Sequence, residues 1–79
     1  SEEVRIAYET PERGAVRVTV HDVAGRRVAV LRNGPRPPGF HREVWDGRGE
    51  DGARAAAGLY VVRVELGGRT AARRFVRLR

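Results

Sequence analysis

A stretch in the first third of the chain decides the fold, and over residues 15–25 it reads AVRVTVHDVAG. Its valines, Val16, Val18 and Val20, share one side of an extended backbone, and the polar residues between them point the other way. β-Branched residues also favour the extended backbone. The alternation predicts a strand with one buried face, followed by a hairpin turn at Gly25 that leads into another strand.

The same alternation recurs on both sides of this stretch. We expect a first strand in which Val4, Ile6 and Tyr8 share a face, and a strand over residues 59–66 with alternate apolar positions. Further strands are expected at about residues 27–31, 40–45 and 69–78. In the fourth strand the pattern does not decide whether Val44 or Trp45 faces the core. In the last strand the predicted inward residues are Ala72, Val76 and Leu78.

Turn residues separate these strands. Residues 10–14 and 46–52 are rich in turn formers, and residues 33–39 contain three prolines, which predicts an irregular surface crossing. The alanine-rich residues 53–57 are too short for a stable helix and are expected to form a loop or a short edge strand. Six to seven strands without a helical period predict an all-β, antiparallel β-sandwich.

Length and composition fit one folded domain. The 79 residues are 41% hydrophobic and 33% charged, so we expect a single domain over residues 1–79. Without cysteine there is no disulfide and no cysteine-based zinc site. No apolar run approaches the roughly 20 residues that a transmembrane helix needs. The start at Ser1 lacks the features of a signal peptide, so any export signal is expected elsewhere in a longer parent.

The charge is strongly basic. The formal net charge is +6, and all 16 basic residues are arginine. Such a chain attracts polyanions at long range. The arginines are nevertheless spread along the whole sequence, with short pairs at Arg26-Arg27 and Arg73-Arg74. We therefore expect no specific nucleic-acid binding.

No set of residues predicts catalysis. Ser1 is the only serine, and the threonines lie in a turn or on polar strand faces without an adjacent base. His21 and His41 are the only histidines and are interpreted as surface residues, because two imidazoles do not complete a metal site. We predict no enzyme activity and no cofactor.

Two features allow a binding site as an alternative. Asp46, Glu50 and Asp51 form an acidic loop that offers oxygen ligands for calcium, although Arg48 breaks the spacing of an EF-hand. The interpretation as turn residues is favoured, because Asp46 and Asp51 each precede a glycine. Trp45 could stack on a sugar, but a single tryptophan in a small strand protein more often fills the core.

Several separated motifs occur together in a familiar order. These are residues 16–28, then Pro38-Gly39-Phe40-His41, Trp45-Asp46-Gly47 and Gly58-Leu59-Tyr60. The chain resembles the immunoglobulin-like domain named for the flagellar hook-capping protein FlgD. It is also similar to the type A C-terminal sorting domains of the type IX secretion system. The resemblance covers about residues 4–79 and implies an immunoglobulin-like sandwich of six to seven strands.

The sorting-domain resemblance also implies an export signal near the end of the chain. Its candidate residues are Gly58, Tyr60, Arg63, Arg73, Arg74, Val76, Arg77, Leu78 and Arg79. The implied protein is a C-terminal module of a larger secreted or cell-surface polypeptide, and its partner would be the secretion machinery or another protein surface.

Three functions remain open at this point. The first is a sorting or surface-anchoring signal for export of a bacterial protein. The second is a structural immunoglobulin-like module that spaces or assembles its parent, as a hook-cap domain would. The third is a polyanion- or carbohydrate-binding module that uses the arginines and Trp45. The sequence leaves the oligomeric state open.

Overall fold

The computed structural model describes residues 3–78, and all of its regular structure is β. The strands are β1 (Val4–Thr10), β2 (Gly14–Asp22), β3 (Arg27–Arg36), β4 (Gly39–Trp45), β5 (Gly58–Leu66) and β6 (Arg69–Arg77). They form a two-stranded sheet, β1-β4, and a four-stranded sheet in the order β3-β2-β5-β6. Every pair is antiparallel, which confirms the predicted all-β sandwich.

The core lies between the two sheets and has two connected parts. One part is built on Ile6, Val16, Val18 and Val62. The other is built on Val20, Ala29, Trp45 and Tyr60. The predicted faces of β1 and β2 are confirmed, since their alternate apolar residues point into these clusters. Trp45 rather than Val44 faces the core, because Trp45 is 1% exposed and Val44 is 50% exposed.

The outward face of β2 is less exposed than the alternation predicts. Thr19 is buried although it points away from the core, because β2 lies between β3 and β5 and is covered by its neighbours. The Thr19 Oγ1 lies 2.9 Å from the Nε2 of His21, which satisfies the hydroxyl group. Thr10 is also buried, at the end of β1.

The third strand is longer than predicted. β3 continues to Arg36, so the expected irregular crossing over residues 33–39 is wrong for most of its length. Proline fits here because β3 is an edge strand, half of whose amide groups face away from the sheet. Pro35 pairs in register with Ala15. The connection to β4 is therefore short.

The predicted inward face of β6 is wrong by one residue. A two-residue turn at Gly67-Gly68 sets Leu66 opposite Arg69, and the same register sets Tyr60 opposite Phe75. Directly opposed residues share a face, so Phe75 turns inward with Tyr60. Ala72, Val76 and Leu78 are accordingly exposed.

The two sheets differ in width, and this leaves one side of the sandwich open. Two strands cannot cover the inner face of four, because each strand spans only about 4.8 Å across a sheet. The register directs Ala71 and Arg73 of β6 toward the inner face, yet both residues are exposed. The uncovered area lies beside β1.

Within residues 3–78 there is no helix with the length and apolar character needed to cross a bilayer.

Candidate interaction surfaces

Three aromatic rings close one end of the core. The Trp45 ring meets that of Tyr60 edge-on at 5.3 Å between centroids, and it meets Phe75 edge-on at 6.0 Å. Tyr60 and Phe75 stack at 5.9 Å. These spacings are those of favourable aromatic pairs. The cluster joins β4, β5 and β6, and so it ties the two sheets together.

Arg77 completes this cluster. Its guanidinium lies over the Trp45 ring, 5.4 Å from the centroid, and the residue is only 8% exposed. Gly47 makes room for it, because a Cβ at that position would lie 2.7 Å from the Arg77 Cζ. Gly47 also has a φ of +86°, a conformation that side chains rarely adopt. The absence of a side chain at Gly47 therefore permits both the backbone conformation of the turn and the close approach of Arg77.

The cluster also holds the long loop between β4 and β5. The Trp45 Nε1 donates a hydrogen bond to the Arg48 carbonyl at 2.8 Å, and the Tyr60 hydroxyl donates one to the Ala56 carbonyl at 2.6 Å. The Arg77 Nε donates to the Ala55 carbonyl at 3.3 Å. Trp45 is thus a core residue with its polar atom satisfied, and its face is not available to stack on a sugar.

A buried ionic cluster occupies another part of the inner face. The Oε2 of Glu43 accepts hydrogen bonds from the Tyr8 hydroxyl at 2.7 Å, from Arg36 Nη2 at 2.8 Å and from Arg32 Nε at 3.3 Å. Glu43 is 8% exposed. The sequence pattern did not predict this position, because it left open which of Val44 and Trp45 faces the core; once Trp45 faces inward, strand alternation puts Glu43 on the same face.

The pKa values of this cluster follow from its geometry. Burial alone would raise the pKa of Glu43, but hydrogen bonds from Arg36 and Tyr8 and the charges of both arginines hold that pKa below its usual value. Burial raises the pKa of Tyr8, and its hydrogen bond to Glu43 raises it further. At neutral pH the site is therefore a carboxylate bound by two guanidinium groups and a phenol. The carboxylate is satisfied within the fold, whereas the buried Nε of Arg36 has no hydrogen-bond partner among the described residues.

The two histidines lie in local hydrogen-bond networks. The Nε2 of His41 lies 2.8 Å from the Pro37 carbonyl and 3.0 Å from the Thr10 hydroxyl. The Thr10 hydroxyl also donates to Pro37 at 2.9 Å. These contacts fix the short connection between β3 and β4. Within residues 3–78, no three His, Asp or Glu side chains come close enough to share a metal ion.

The acidic loop uses its carboxylates internally. Asp46 Oδ1 accepts from the Arg48 amide at 3.0 Å, and Asp51 Oδ1 accepts from the Ala53 amide at 2.9 Å. Glu50 forms an ion pair with Arg27, with 2.6 Å between Oε2 and Nε. The hydrogen bond from Arg27 holds the pKa of Glu50 below its usual value. Each candidate calcium ligand thus has a hydrogen-bond or ion-pair partner within the protein.

The structure divides the export-signal candidates into two groups. Tyr60 and Arg77 are buried in the aromatic cluster. The exposed members are Gly58, Arg63, Arg73, Arg74, Val76 and Leu78. Arg73 lies on the inner side of β6 and the neighbouring Arg74 on the outer side. Arg79 lies outside the described residues. The candidates therefore do not form one continuous surface.

Several apolar side chains of the described residues are exposed on the outer faces of the two sheets. On the outer face of the two-stranded sheet, Phe40 is 83% exposed and Val44 is 50% exposed. On the outer face of the four-stranded sheet, Leu59 lies opposite Val76 in register, and Val76 is 63% exposed. Exposed arginines flank both pairs of residues.

A groove of about 500 Å³ lies on the open side of the sandwich. We call it the β1–β6 groove. It is lined by residues 4–9 of β1, residues 71–75 of β6, and Val62 and Val64 of β5. No pattern in the sequence predicts this groove, because a groove between two sheets depends on how many strands each sheet has.

The comparisons with known proteins agree with this architecture. The model of the FlgD Ig-like domain family matches residues 2–69, which is most of the chain. No curated protein sequence matches. A crystal structure of FlgD from P. aeruginosa is similar to the chain, with a TM-score of 0.76 and 22% identity over 95% of it. The chain spans 60% of that FlgD chain, and at this identity the likeness shows the fold alone. By its match to the family model, the chain belongs to the FlgD Ig-like domain family.

Proposed function

We propose that the chain is a non-catalytic structural module, a single domain of a larger bacterial protein that is exported or displayed at the cell surface. The observation that carries this proposal is the position of the sequence motifs on which the family resemblance rests. Trp45, Gly47 and Tyr60 meet in one cluster with Arg77, inside the fold. These residues hold the sandwich together and do not line a reaction site.

The buried ionic cluster supports the same role. Glu43 on β4 binds Arg32 and Arg36 on β3, and so it joins the edges of the two sheets. A buried carboxylate with this many donors fixes the packing of one strand against another, since each misplaced partner leaves a charge without compensation. A spacer or assembly module needs such a fixed shape.

A sorting signal is a second candidate, and one observation favours it. Val76 and Leu78 are 63% and 80% exposed at the end of β6, next to the exposed Arg74. A receptor could bind these side chains without unfolding the domain. The burial of Tyr60 and Arg77 argues against their being bound directly in the folded state.

One experiment separates the two candidates. A reporter is fused in front of residues 1–79 and expressed in a bacterium that has the type IX pathway, with the double substitution Val76→Asp and Leu78→Asp as the variant. Both side chains are exposed, so we expect both proteins to fold with similar stability. The structural role predicts that neither fusion is exported by that pathway.

Export of the unsubstituted fusion, lost in the folded double variant, would establish the sorting function instead. A second measurement addresses the module itself. Purified residues 1–79 should unfold in urea in a single cooperative transition, as a small domain with one core does. Gradual, non-cooperative unfolding would contradict an autonomous structural module.

A further inference from the structure

The β1–β6 groove runs along two strand edges. Consecutive residues line it on both sides, residues 4–9 on β1 and residues 71–75 on β6. Successive side chains of a strand point to opposite faces, so a groove that touches every residue in a row follows the edge of the strand rather than its face. Backbone amide and carbonyl groups are therefore part of both walls.

Neither edge has a strand partner among residues 3–78. β1 pairs only with β4, and β6 pairs only with β5. A free edge presents unpaired hydrogen-bonding groups, which another extended chain can complete. The length of the groove corresponds to about five residues of β6, or roughly 17 Å.

The groove has an apolar floor and a basic rim. Val62 and Val64 form the floor, and the small side chain of Ala71 leaves space above Val64. Among the charged residues that line the groove are three arginines, Arg5, Arg73 and Arg74, against the single acidic residue Glu9. An extended chain in this place would bury alternate side chains on the valines and bring the others close to the arginines.

We propose that the β1–β6 groove binds an extended, acidic segment of a partner protein as an added strand, which widens the two-stranded sheet and covers the inner face of β6. This inference rests on the proposed function, since it names the way in which the module would be assembled with a partner. Strand addition of this kind takes its affinity from main-chain hydrogen bonds and its specificity from alternate side chains.

A second copy of the chain is the less favourable occupant. Each copy carries a net charge of +6, and β6 contains arginines but no acidic residue. Pairing two β6 edges would bring like charges together. In a segment where glutamate or aspartate alternates with apolar residues, the acidic side chains would face the arginines and the apolar side chains would face the valines of the groove.

The test uses the whole 79-residue chain and a pool of synthetic peptides of about nine residues. Odd positions vary among Val, Ile and Tyr, and even positions are Glu. A second pool has Lys in place of Glu, and a third has the Glu-pool composition with all acidic residues in one block. NMR titration gives the affinity, and amide hydrogen exchange identifies the strands that become protected. We expect the alternating acidic pool to bind and to protect amides of β1.

Three substitutions locate the site. Arg73→Glu reverses a charge in the groove, whereas Arg13→Glu makes the same change at an exposed turn residue that is not part of the lining. We expect the first to weaken binding at least about tenfold and the second less than about twofold. Ala71→Tyr fills the groove without changing its charge, and should weaken binding to a similar degree as Arg73→Glu.

Several results would overturn the proposal. It fails if no alternating acidic peptide binds, if the block pool binds equally well, or if both charge reversals have the same effect. It also fails if saturating peptide leaves the amides of β1 unprotected. Protection that appears without peptide as the domain concentration rises would identify a second copy as the occupant. Every one of these outcomes is independent of the export and unfolding measurements that test the proposed function.

Discussion

The guanidinium of Arg77 lies over the indole of Trp45 and against Gly47, two residues that precede it by about 30 positions in the chain. The arginine is buried, and its Nε donates a hydrogen bond to the Ala55 carbonyl. A cation over a desolvated indole contributes up to about 2 kcal/mol. This contact makes the last strand part of the core.

The first prediction concerns Gly47. Gly47→Ala should lower the free energy of unfolding by about 2–4 kcal/mol, because it combines strain at a φ of +86° with a clash against Arg77. Urea denaturation followed by tryptophan fluorescence measures this. Gly52→Ala is the matched control, since Gly52 has a φ of +83° and nothing within 4 Å of the added Cβ. Gly52→Ala should lower the free energy of unfolding by about 1 kcal/mol, which is the contribution of backbone strain alone.

The double substitution isolates the clash. In an Arg77→Ala background, Gly47→Ala should cost about as much as Gly52→Ala does, because the arginine is no longer in the way. Equal costs of Gly47→Ala with and without Arg77 would show that the two residues are not coupled.

The second prediction concerns Glu43. Glu43→Gln should lower the free energy of unfolding at pH 7 by about 2–4 kcal/mol, because it removes the charge of a buried carboxylate that pairs with two half-buried arginines. The pKa of Glu43 is below 4.5, its ordinary value, in the folded state. Its contribution is therefore fully present above about pH 4.5 and is lost as the pH falls through the lower, folded pKa.

Urea denaturation between pH 7 and pH 3 tests this sign. The stability difference between the natural chain and Glu43→Gln should stay constant from pH 7 to about pH 5 and shrink below that. Glu12→Gln, at an exposed turn residue, should change the stability by less than about 0.5 kcal/mol at pH 7. A difference that grows on acidification would contradict the assigned role of Glu43.

The third prediction compares the two phenylalanines. Phe75 packs on Trp45 and Tyr60, whereas Phe40 is 83% exposed. Phe75→Ala should cost about 2–4 kcal/mol, and Phe40→Ala should stay within about 0.5 kcal/mol. Thermal unfolding by circular dichroism measures both. Similar losses for the two variants would mean that the assigned register of β6 is wrong.

The strands could be predicted from the sequence wherever polar and apolar residues alternate cleanly. The valines of β2 and the residues Val4, Ile6 and Tyr8 of β1 decide their faces locally, because a period of two leaves no other choice. The register of β6 is different. Phe75 and Val76 are adjacent and both apolar, so the face depends on pairing with β5, which the turn at residues 67–68 sets.

Other features depend on the whole fold. Pro35 can lie in β3 only because that strand is at an edge of its sheet. No single segment of the sequence determines the order of the strands. The burial of Arg77 needs Gly47 and Trp45, which precede it by some 30 residues of chain. The β1–β6 groove exists because one sheet has two strands and the other has four.

The last prediction concerns the arginines as a polyanion surface. Exposed arginines lie on both outer faces, with Arg5 and Arg42 on the two-stranded sheet and Arg63 and Arg74 on the four-stranded sheet. Such a distribution attracts a polyanion from every side and selects no orientation. We therefore expect duplex DNA to bind weakly at about 50 mM salt and to dissociate by about 300 mM, because each phosphate contact adds to the salt dependence.

Fluorescence anisotropy with labelled DNA duplexes of unrelated sequence measures this. Reversing one charge on each face, in Arg42→Glu and in Arg74→Glu, should weaken binding to a similar and small extent, since neither face is preferred. Binding that persists at about 0.5 M salt, or that one of these substitutions alone abolishes, would reveal a defined site and would contradict the non-specific role of the arginines.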